Sequence, residues 1–440
     1  MAEEKQLIVV SCCTRFDRLA HRKGVTSVRC FYTFELDPRD GQMVLLSVAR
    51  APAAGAPLHG ARDLLYTSAG GEMQAWSVCP ETGRVARLDP ACAGTPARAA
   101  EGGRSLLVAD HRDASVSVFG LCPDSGRVMG VRSVPAGAPG RVGSLHEQQP
   151  DPHSHAVVLD PFFGRVAYVP DPGTDLIRQF RYDPIAGTLV PAGAVALGPG
   201  GHAGLGPRRL EFHTRLPVCY IVNELSEVLV LGFSAKSAQD LIAGADVPTL
   251  RLLQTVRTIP DAFCGSGNAC SCIRVHASGD FVAVSNEGHD SIAIFRVHDL
   301  PHPGALSKTC ERHVRGRTPR HFAFDASGQW LIAANQDSDK VSVFRFNVSE
   351  GTFDFSGHEY SVPSPNFVCS VQPQQQLGEQ PQASDVDQRA RLRRTRRSSR
   401  SPSAPLQRLP AGPLEDAPAT LQASSASSAA AHPGQPRSKL

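Results

Sequence analysis

The sequence predicts an all-β chain: a seven-bladed β-propeller followed by a disordered C-terminal tail. Three observations lead there. A phrase of alternating apolar residues, ending in an aromatic and a glycine-bearing turn, recurs from residue 31 to residue 351. A second apolar run precedes most copies. Helical periodicity is scarce, while the 440 residues hold 39 glycines and 35 prolines, as a chain rich in tight turns requires.

The phrase reads FYTFELDPRDG at 31–41, QAWSVCPETG at 74–83 and VSVFGLCPDSG at 116–126. It returns as IRQFRYDPIAG at 177–187, IAIFRVHDLPHPG at 292–304 and VSVFRFNVSEG at 341–351, with a degenerate copy, VLVLGFSAKS, at 228–237. About seven copies at a spacing of roughly 40–60 residues lie in the range of propellers and solenoids. Period-2 alternation gives the half-buried face of an antiparallel strand. The D-P-x-x-G or C-P-x-x-G segment then turns the chain, because proline presets φ and glycine accepts a positive φ. The preceding runs, such as LLYTSA at 64–69, VCYIVNE at 218–224 and WLIAANQ at 330–336, supply a partner strand. One such unit cannot bury both faces; about seven in a ring can, leaving only short edges. The aromatics Phe34, Trp76, Phe119, Phe180, Phe295 and Phe344 are therefore expected in the blade core, and the turn aspartates are expected to form turns. Asp171 and Asp175 are expected to cap a loop.

The propeller is assigned to residues 6–372. From 373 to 440 Gln, Ala, Ser, Pro and Arg dominate, which offers too little apolar surface to offset chain entropy. The basic block at 389–403, RARLRRTRRSSRSPS, fits an import or nucleic-acid patch, a phosphorylatable Arg-Ser segment, or a solvated tail. It has no interleaved aromatics for base stacking, and the net charge of the whole chain is only +3, so no nucleic-acid partner is expected. No stretch is long and apolar enough to span a bilayer, and no signal peptide opens the chain. The 12 cysteines are expected as reduced thiols. The C-x5-C-x-C spacing of Cys264, Cys270 and Cys272 does not match the usual zinc pairs, and neither metal nor cofactor is expected. A monomer is expected.

Polar residues that flank the strand runs are candidates for a pocket at the hub, since every blade places loops and strand ends there. Five phrases stand out: DPHSHAVVLDP at 151–161, VPDPGTD at 169–175, GPRRLEFH at 206–213 with YIVNEL at 220–225, IRVHASGDFVAVSNEGHDSI at 273–292, and TPRHFAFDASGQWLIAANQDSD at 318–339. In their order and spacing they resemble the seven-bladed propeller lactonases, a family that includes bacterial 6-phosphogluconolactonase and fungal carboxy-muconate lactonising enzyme. The resemblance covers essentially the whole ring and is strongest from about 153 to 344. It implies catalytic roles for His155, Arg208 (the Arg of G-P-R-H), Glu224 (the Glu of N-E-L) and Arg320 (the Arg of P-R-x-F). It implies substrate contacts for His153, Arg209, Arg274, Glu287 and His321. Two departures stand out: Arg209 replaces the His of the R-H pair, and Glu287 stands where an Arg is usual, with Arg274 able to restore a positive charge.

Such residues suit hydrolysis of a small anionic lactone. Glu224 or His155 would deprotonate a water beside the ester carbonyl, and guanidinium groups would receive the oxyanion. Arg208, Arg274 and Arg320 would hold a phosphate or carboxylate. The leading substrate is 6-phosphogluconolactone. Two alternatives use the same parts: a cycloisomerase of a carboxy-muconate, and a non-catalytic propeller binding a protein or metabolite. Each residue also has a structural reading: the histidines as satisfied strand-end groups, and Arg208 and Arg320 as ties to Glu224, Glu211 or Asp325. An unneutralised Glu287 would favour the non-catalytic alternative.

The last three residues, Ser438-Lys439-Leu440, match the tripeptide read by the peroxisomal import receptor. Peroxisomal delivery is the expectation, with the cytoplasm as the alternative. A fluorescent reporter fused to these terminal residues is expected to collect in peroxisomes. Deleting Leu440 is expected to leave it diffuse; a diffuse signal with the intact terminus overturns the assignment.

Overall fold

The computed structural model describes residues 6–13, 26–27, 29–50, 54–61, 64–69, 72–88, 92–93, 98–101, 105–109, 115–135, 156–197, 205–263 and 267–371. The expected tail at 373–440, with its basic block and Ser438, Lys439 and Leu440, lies outside them, as do His153, His155 and Cys264.

Seven antiparallel sheets form the blades of a β-propeller. From the hub outward, the fifth blade consists of Pro207–Phe212, Val218–Asn223, Glu227–Phe233 and Leu250–Arg257. The sixth consists of Cys270–Val275, Phe281–Asn286, Ser291–His298 and Ala305–His313. The seventh consists of Pro319–Phe324, Trp330–Asn335, Lys340–Asn347 and Thr352–Ser361. The first blade is built from both ends of the propeller. Its innermost strand is the last one, Pro365–Val371, which pairs with Gln6–Cys12; Arg29–Leu36 and Met43–Arg50 follow outward. Innermost strands of successive blades touch from the fifth blade round through the first to the fourth, and the fifth blade's innermost strand touches the fourth blade's second strand, Val166–Asp171.

The recurring phrase is the third strand of each blade, and its aromatics are blade core as expected: Phe119, Phe180 and Phe295 are fully buried, and Phe34, Trp76 and Phe344 nearly so. The degenerate copy has a local cause. After Glu227–Phe233 the chain makes a helix, Ala235–Ile242, in place of the tight turn, and the Ser234 hydroxyl caps it by accepting from the Ser237 N–H.

Apolar packing lies between blades. One cluster joins Tyr168 and Ile177 of the fourth blade to Ile221 and Leu229 of the fifth. Another joins Phe281 and Ile294 of the sixth to Phe322 and Phe344 of the seventh. The turn glycines serve this packing as well as the turn. Gly41 has φ of +78°, and a Cβ there would meet the Trp330 ring of the neighbouring blade at 2.5 Å. The Trp330 Nε1–H donates to the Pro38 carbonyl in the same turn, at 2.9 Å. The glycine thus lets one blade's turn close over the next blade's indole.

Polar latches add direction. Asp175, Asp290 and Asp339 all adopt positive φ at equivalent turns. Their carboxylates accept from the N–H of Gly206, Thr318 and Ser364 at 2.8, 2.7 and 2.7 Å, each at the entry to the next blade's innermost strand. The capping expected of Asp175 is therefore a tie between blades. Asp171 instead receives the Arg178 Nε–H at 3.2 Å in a buried ion pair. At the opposite end of the innermost strand, His213 Nδ1 accepts from the N–H groups of Arg215 and Leu216, at 3.0 and 2.9 Å. Its Nε2–H then faces the Gly279 carbonyl of the sixth blade at 2.7 Å.

Two outcomes follow from these ties. Gly41→Ala must adopt an unfavourable φ and also press on Trp330, so a loss of about 2–4 kcal/mol in urea unfolding is expected. For His213, burial pushes the pKa below the usual 6.5, against the pull of the Gly279 carbonyl. The unfolded chain then binds the extra proton more readily, so this stabilisation is whole above pH 6.5 and is lost as the pH falls below it. Melting temperatures at pH 7.5 and 5.5 are expected to differ more in the native protein than in His213→Asn; an equal difference removes the assignment.

Candidate active site

The hub-facing polar residues owe their positions to a fault in strand pairing that repeats in three adjacent blades. On the fifth blade's innermost strand, Pro207 pairs with Asn223 and Arg209 with Val222, which leaves Arg208 without a register partner. The same skip occurs at Ser271, between Cys270 and Cys272, and at Arg320, between Pro319 and His321. A β-bulge of this kind inserts one residue, bends the strand and re-aims that side chain. Arg208 and Arg320 are left half-buried, whereas the residues on either side of each are buried.

A second set of equivalent positions meets the bulges. The second strands of the fifth, sixth and seventh blades end in Asn223, Asn286 and Asn335, followed by Glu224, Glu287 and Gln336. The backbone N–H of these three bonds the carbonyl of Gly206, Ala269 and Thr318, at 3.2, 2.9 and 2.9 Å. Each acidic or amide side chain therefore starts beside the bulge of its own blade.

Glu287 joins the outer two bulges. Its Oε1 accepts from Arg320 Nη1 at 2.6 Å, and its Oε2 lies 4.0 Å from Arg208 Nη1. The carboxylate is 6% exposed, while the arginine side chains are 14% and 30% exposed, so the cations cover the anion. Glu287 raises the pKa of Arg320. Arg208 Nη1 also donates to the Cys270 carbonyl at 3.3 Å. The Nε and Nη2 groups of both arginines have no protein acceptor among the described residues, which leaves planar forks available to an anion. The Glu224 carboxylate is half-buried and has no ion pair or hydrogen bond among the described residues; the neighbouring bulge in the sixth blade offers Ser271 instead of an arginine.

Further along the same strands is a separate polar group. Arg274 Nη1 donates to Glu211 Oε2 at 2.9 Å, and the other Glu211 oxygen accepts the Val275 N–H. Arg274 Nη2 is 3.2 Å from His321 Nε2, and His321 Nδ1 accepts from the Val368 N–H of the first blade. Burial opposes the charge on Arg274, but Cys272 and Glu211 outweigh it and its pKa is raised. Arg209 is buried between the fifth and sixth blades, with Nη1 on Cys272 Sγ at 3.1 Å. Burial, and then Arg274, pushes its pKa down to about 10.

The sequence-based site therefore changes in detail. Arg208, Arg320 and Glu287 come together, with Glu224 beside the same bulges. Arg274 joins His321 and Glu211, and is not the group that neutralises Glu287; nor is Arg209. Arg209 and His321 are buried ties between blades, not groups open to the channel. Arg208 and Arg320 pair with Glu287, not with Glu224, Glu211 or Asp325. His153 and His155 lie outside the described residues. Sequence reading passed over Ser271; it named Glu211 only as a tie for Arg208 or Arg320, and Cys272 only for its cysteine spacing. One signal was available: R-R-L-E-F and R-H-F-A-F each open with two polar residues where strict alternation allows one. Among the described residues no group of His, Cys, Asp and Glu side chains could hold a metal ion.

Seven radial sheets, the first completed by Pro365–Val371, with Arg208 and Arg320 braced by Glu287 across three adjacent blades, define a β-propeller with a polar cluster at its innermost strands. The chain belongs to the lactonase family of seven-bladed β-propellers, whose model matches residues 9–370. The 6-phosphogluconolactonase of Bacillus subtilis is 32% identical over 225 residues, 51% of this chain and 58% of that protein. An uncharacterized protein of Lactococcus lactis is 29% identical over 38% of this chain and 46% of its own length. The matches thus span only about half the length of these curated relatives. Among solved structures, the periplasmic gluconolactonase of Pseudomonas aeruginosa superposes with a TM-score of 0.68 and 25% identity, covering 84% of this chain and 99% of that one.

Proposed function

We propose that the protein is a lactone hydrolase acting on an anionic sugar lactone, with 6-phosphogluconolactone the leading substrate. The observation that carries this reading is the pair of guanidinium forks from the fifth and seventh blades, held at one point by Glu287, beside the carboxylate of Glu224, which has no ion pair among the described residues. The relatives named above support the reaction class; the fold alone would not, because one fold hosts many chemistries.

In this reading the substrate's ester carbonyl lies against the N–H groups of Arg208 and Arg320. Water attacks the carbonyl carbon, and Glu224, or His155, takes a proton from that water. Negative charge moves to the carbonyl oxygen, where the fixed guanidinium donors stabilise it more than they stabilise the neutral ester. Collapse breaks the ring C–O bond. The ring oxygen takes up a proton and leaves as a hydroxyl, and the carbonyl carbon becomes a carboxylate. The non-catalytic alternative rested on a Glu287 without a guanidinium in reach; Arg320 at 2.6 Å removes that ground.

The test is acid release from 6-phosphogluconolactone above its spontaneous opening. Arg208→Ala and Glu224→Ala are each expected to lower kcat by about a hundredfold or more, with an unchanged circular-dichroism spectrum. A folded native protein that leaves the spontaneous rate unaltered overturns the reading for this substrate. Lactone formation from a carboxy-muconate in the same assay would point instead to a cycloisomerase.

A further inference from the structure

The bulge that re-aims Arg208 and Arg320 occurs once more, on the strand that closes the ring. Ser11 pairs with Phe367 and Cys12 with Pro365, so Asn366 has no register partner. Asn366 is half-buried between two buried neighbours, Pro365 and Phe367, just as Arg208 and Arg320 are between theirs. The seventh and first blades hold these positions at matching height. The rings of His321 and Phe367, each one residue beyond its bulge, have centroids 4.5 Å apart, and the Val368 N–H donates to His321 Nδ1 at 3.2 Å. The Asn366 amide is oriented from behind: its Oδ1 accepts from the wholly buried Ser11 hydroxyl at 2.7 Å. The two N–H groups on Nδ2 remain, and they have no acceptor among the described residues. Ser271, at the bulge between Arg208 and Arg320, offers nothing comparable. Its hydroxyl donates to the Pro319 carbonyl at 2.9 Å and meets the Ser285 hydroxyl at 2.8 Å.

We propose that Asn366 is a substrate-binding, specificity-determining residue: its Nδ2–H groups donate to an uncharged hydroxyl of the substrate, beside the oxygen that Arg320 receives. The inference rests on the lactonase reading for its substrate class, and it deepens that reading by assigning the recognition of hydroxyl groups. The chemistry follows from what an amide can do. It carries no net charge, so it adds little to the hold on a phosphate or carboxylate, which guanidinium forks supply. A neutral hydroxyl oxygen accepts from it readily. A substrate without that hydroxyl leaves a half-buried donor unpaired, and the cost of the unpaired donor is what discriminates. Because Ser11 holds the Oδ1 side, the amide is already oriented before a ligand arrives, and binding costs less ordering.

Asn366→Leu keeps the branched outline and removes both donors. Calorimetry on the full chain compares 6-phosphogluconate with 6-phosphohexanoate, which carries the same carboxylate and phosphate on a chain without hydroxyls. The native protein is expected to bind 6-phosphogluconate more tightly. Asn366→Leu is expected to lower that affinity ratio about tenfold while leaving 6-phosphohexanoate within about twofold. In the acid-release assay, the ratio of kcat/KM for gluconolactone over δ-valerolactone, a ring of the same size without hydroxyls, is expected to fall by a similar factor. A purely structural asparagine would weaken both ligands alike. An unchanged affinity ratio in a folded variant, verified by its melting curve, therefore overturns the proposal. If Asn366→Leu does not fold, Asn366→Ala removes the same donors and is read in the same way; a native protein without preference for 6-phosphogluconate overturns the proposal before any variant is made. If neither protein opens a lactone while the affinity ratio shifts as stated, the catalytic reading falls and the role of Asn366 stands.

Discussion

Ring closure is the constraint on which the rest of this protein depends. Pro365–Val371 enters the first blade as its innermost strand and pairs with Gln6–Cys12, so the two ends of the propeller hold each other. Without that pairing the seventh blade would expose the face that carries Trp330, Ile332, Val341 and Val343, and the innermost strands would not converge. With it, every blade buries both faces against neighbours, and the hub is held from all sides. The Val368 N–H that reaches His321 shows the closure extending into the polar interior.

Within that ring the packing is reciprocal. Glycine turns accept the aromatic side chains of the adjacent blade, and aspartates in left-handed turns bind the N–H that begins the next. These contacts cost little locally, because glycine and aspartate tolerate the backbone they require. Their effect is collective: neighbouring blades are fixed in height and angle, which is what allows side chains from the fifth and seventh blades to meet over the sixth.

The bulges turn that rigidity into a site. Regular pairing would send alternate side chains of an innermost strand toward the two flanking blades. One extra residue breaks the alternation, frees Arg208 and Arg320 from the blade interfaces, and leaves their successors, Arg209 and His321, to serve as interblade ties. Two cations drawn together would repel each other, and Glu287 between them offsets that repulsion. Sites on rigid elements hold such geometry better than mobile loops do.

Much of this was legible in the amino-acid order. Repeated alternation, aromatic strand ends and glycine turns specify seven like units, and no single unit could bury its faces alone, so the propeller followed from local pattern plus burial. The phrases carrying Arg208, Glu224 and Arg320 were legible too, because their spacing repeats with the blades. Which side chains would meet was decided by the tertiary structure. Glu287 lies 33 residues from Arg320 and much further in sequence from Arg208, and only blade-to-blade register brings the three together. Arg209 and Arg208 are neighbours of the same type, yet a one-residue slip in pairing buries the first against Cys272 and opens the second to the hub. Local pattern states where strands and turns fall; the pairing register of separate strands, a property of the closed ring, selects the partners of each charge.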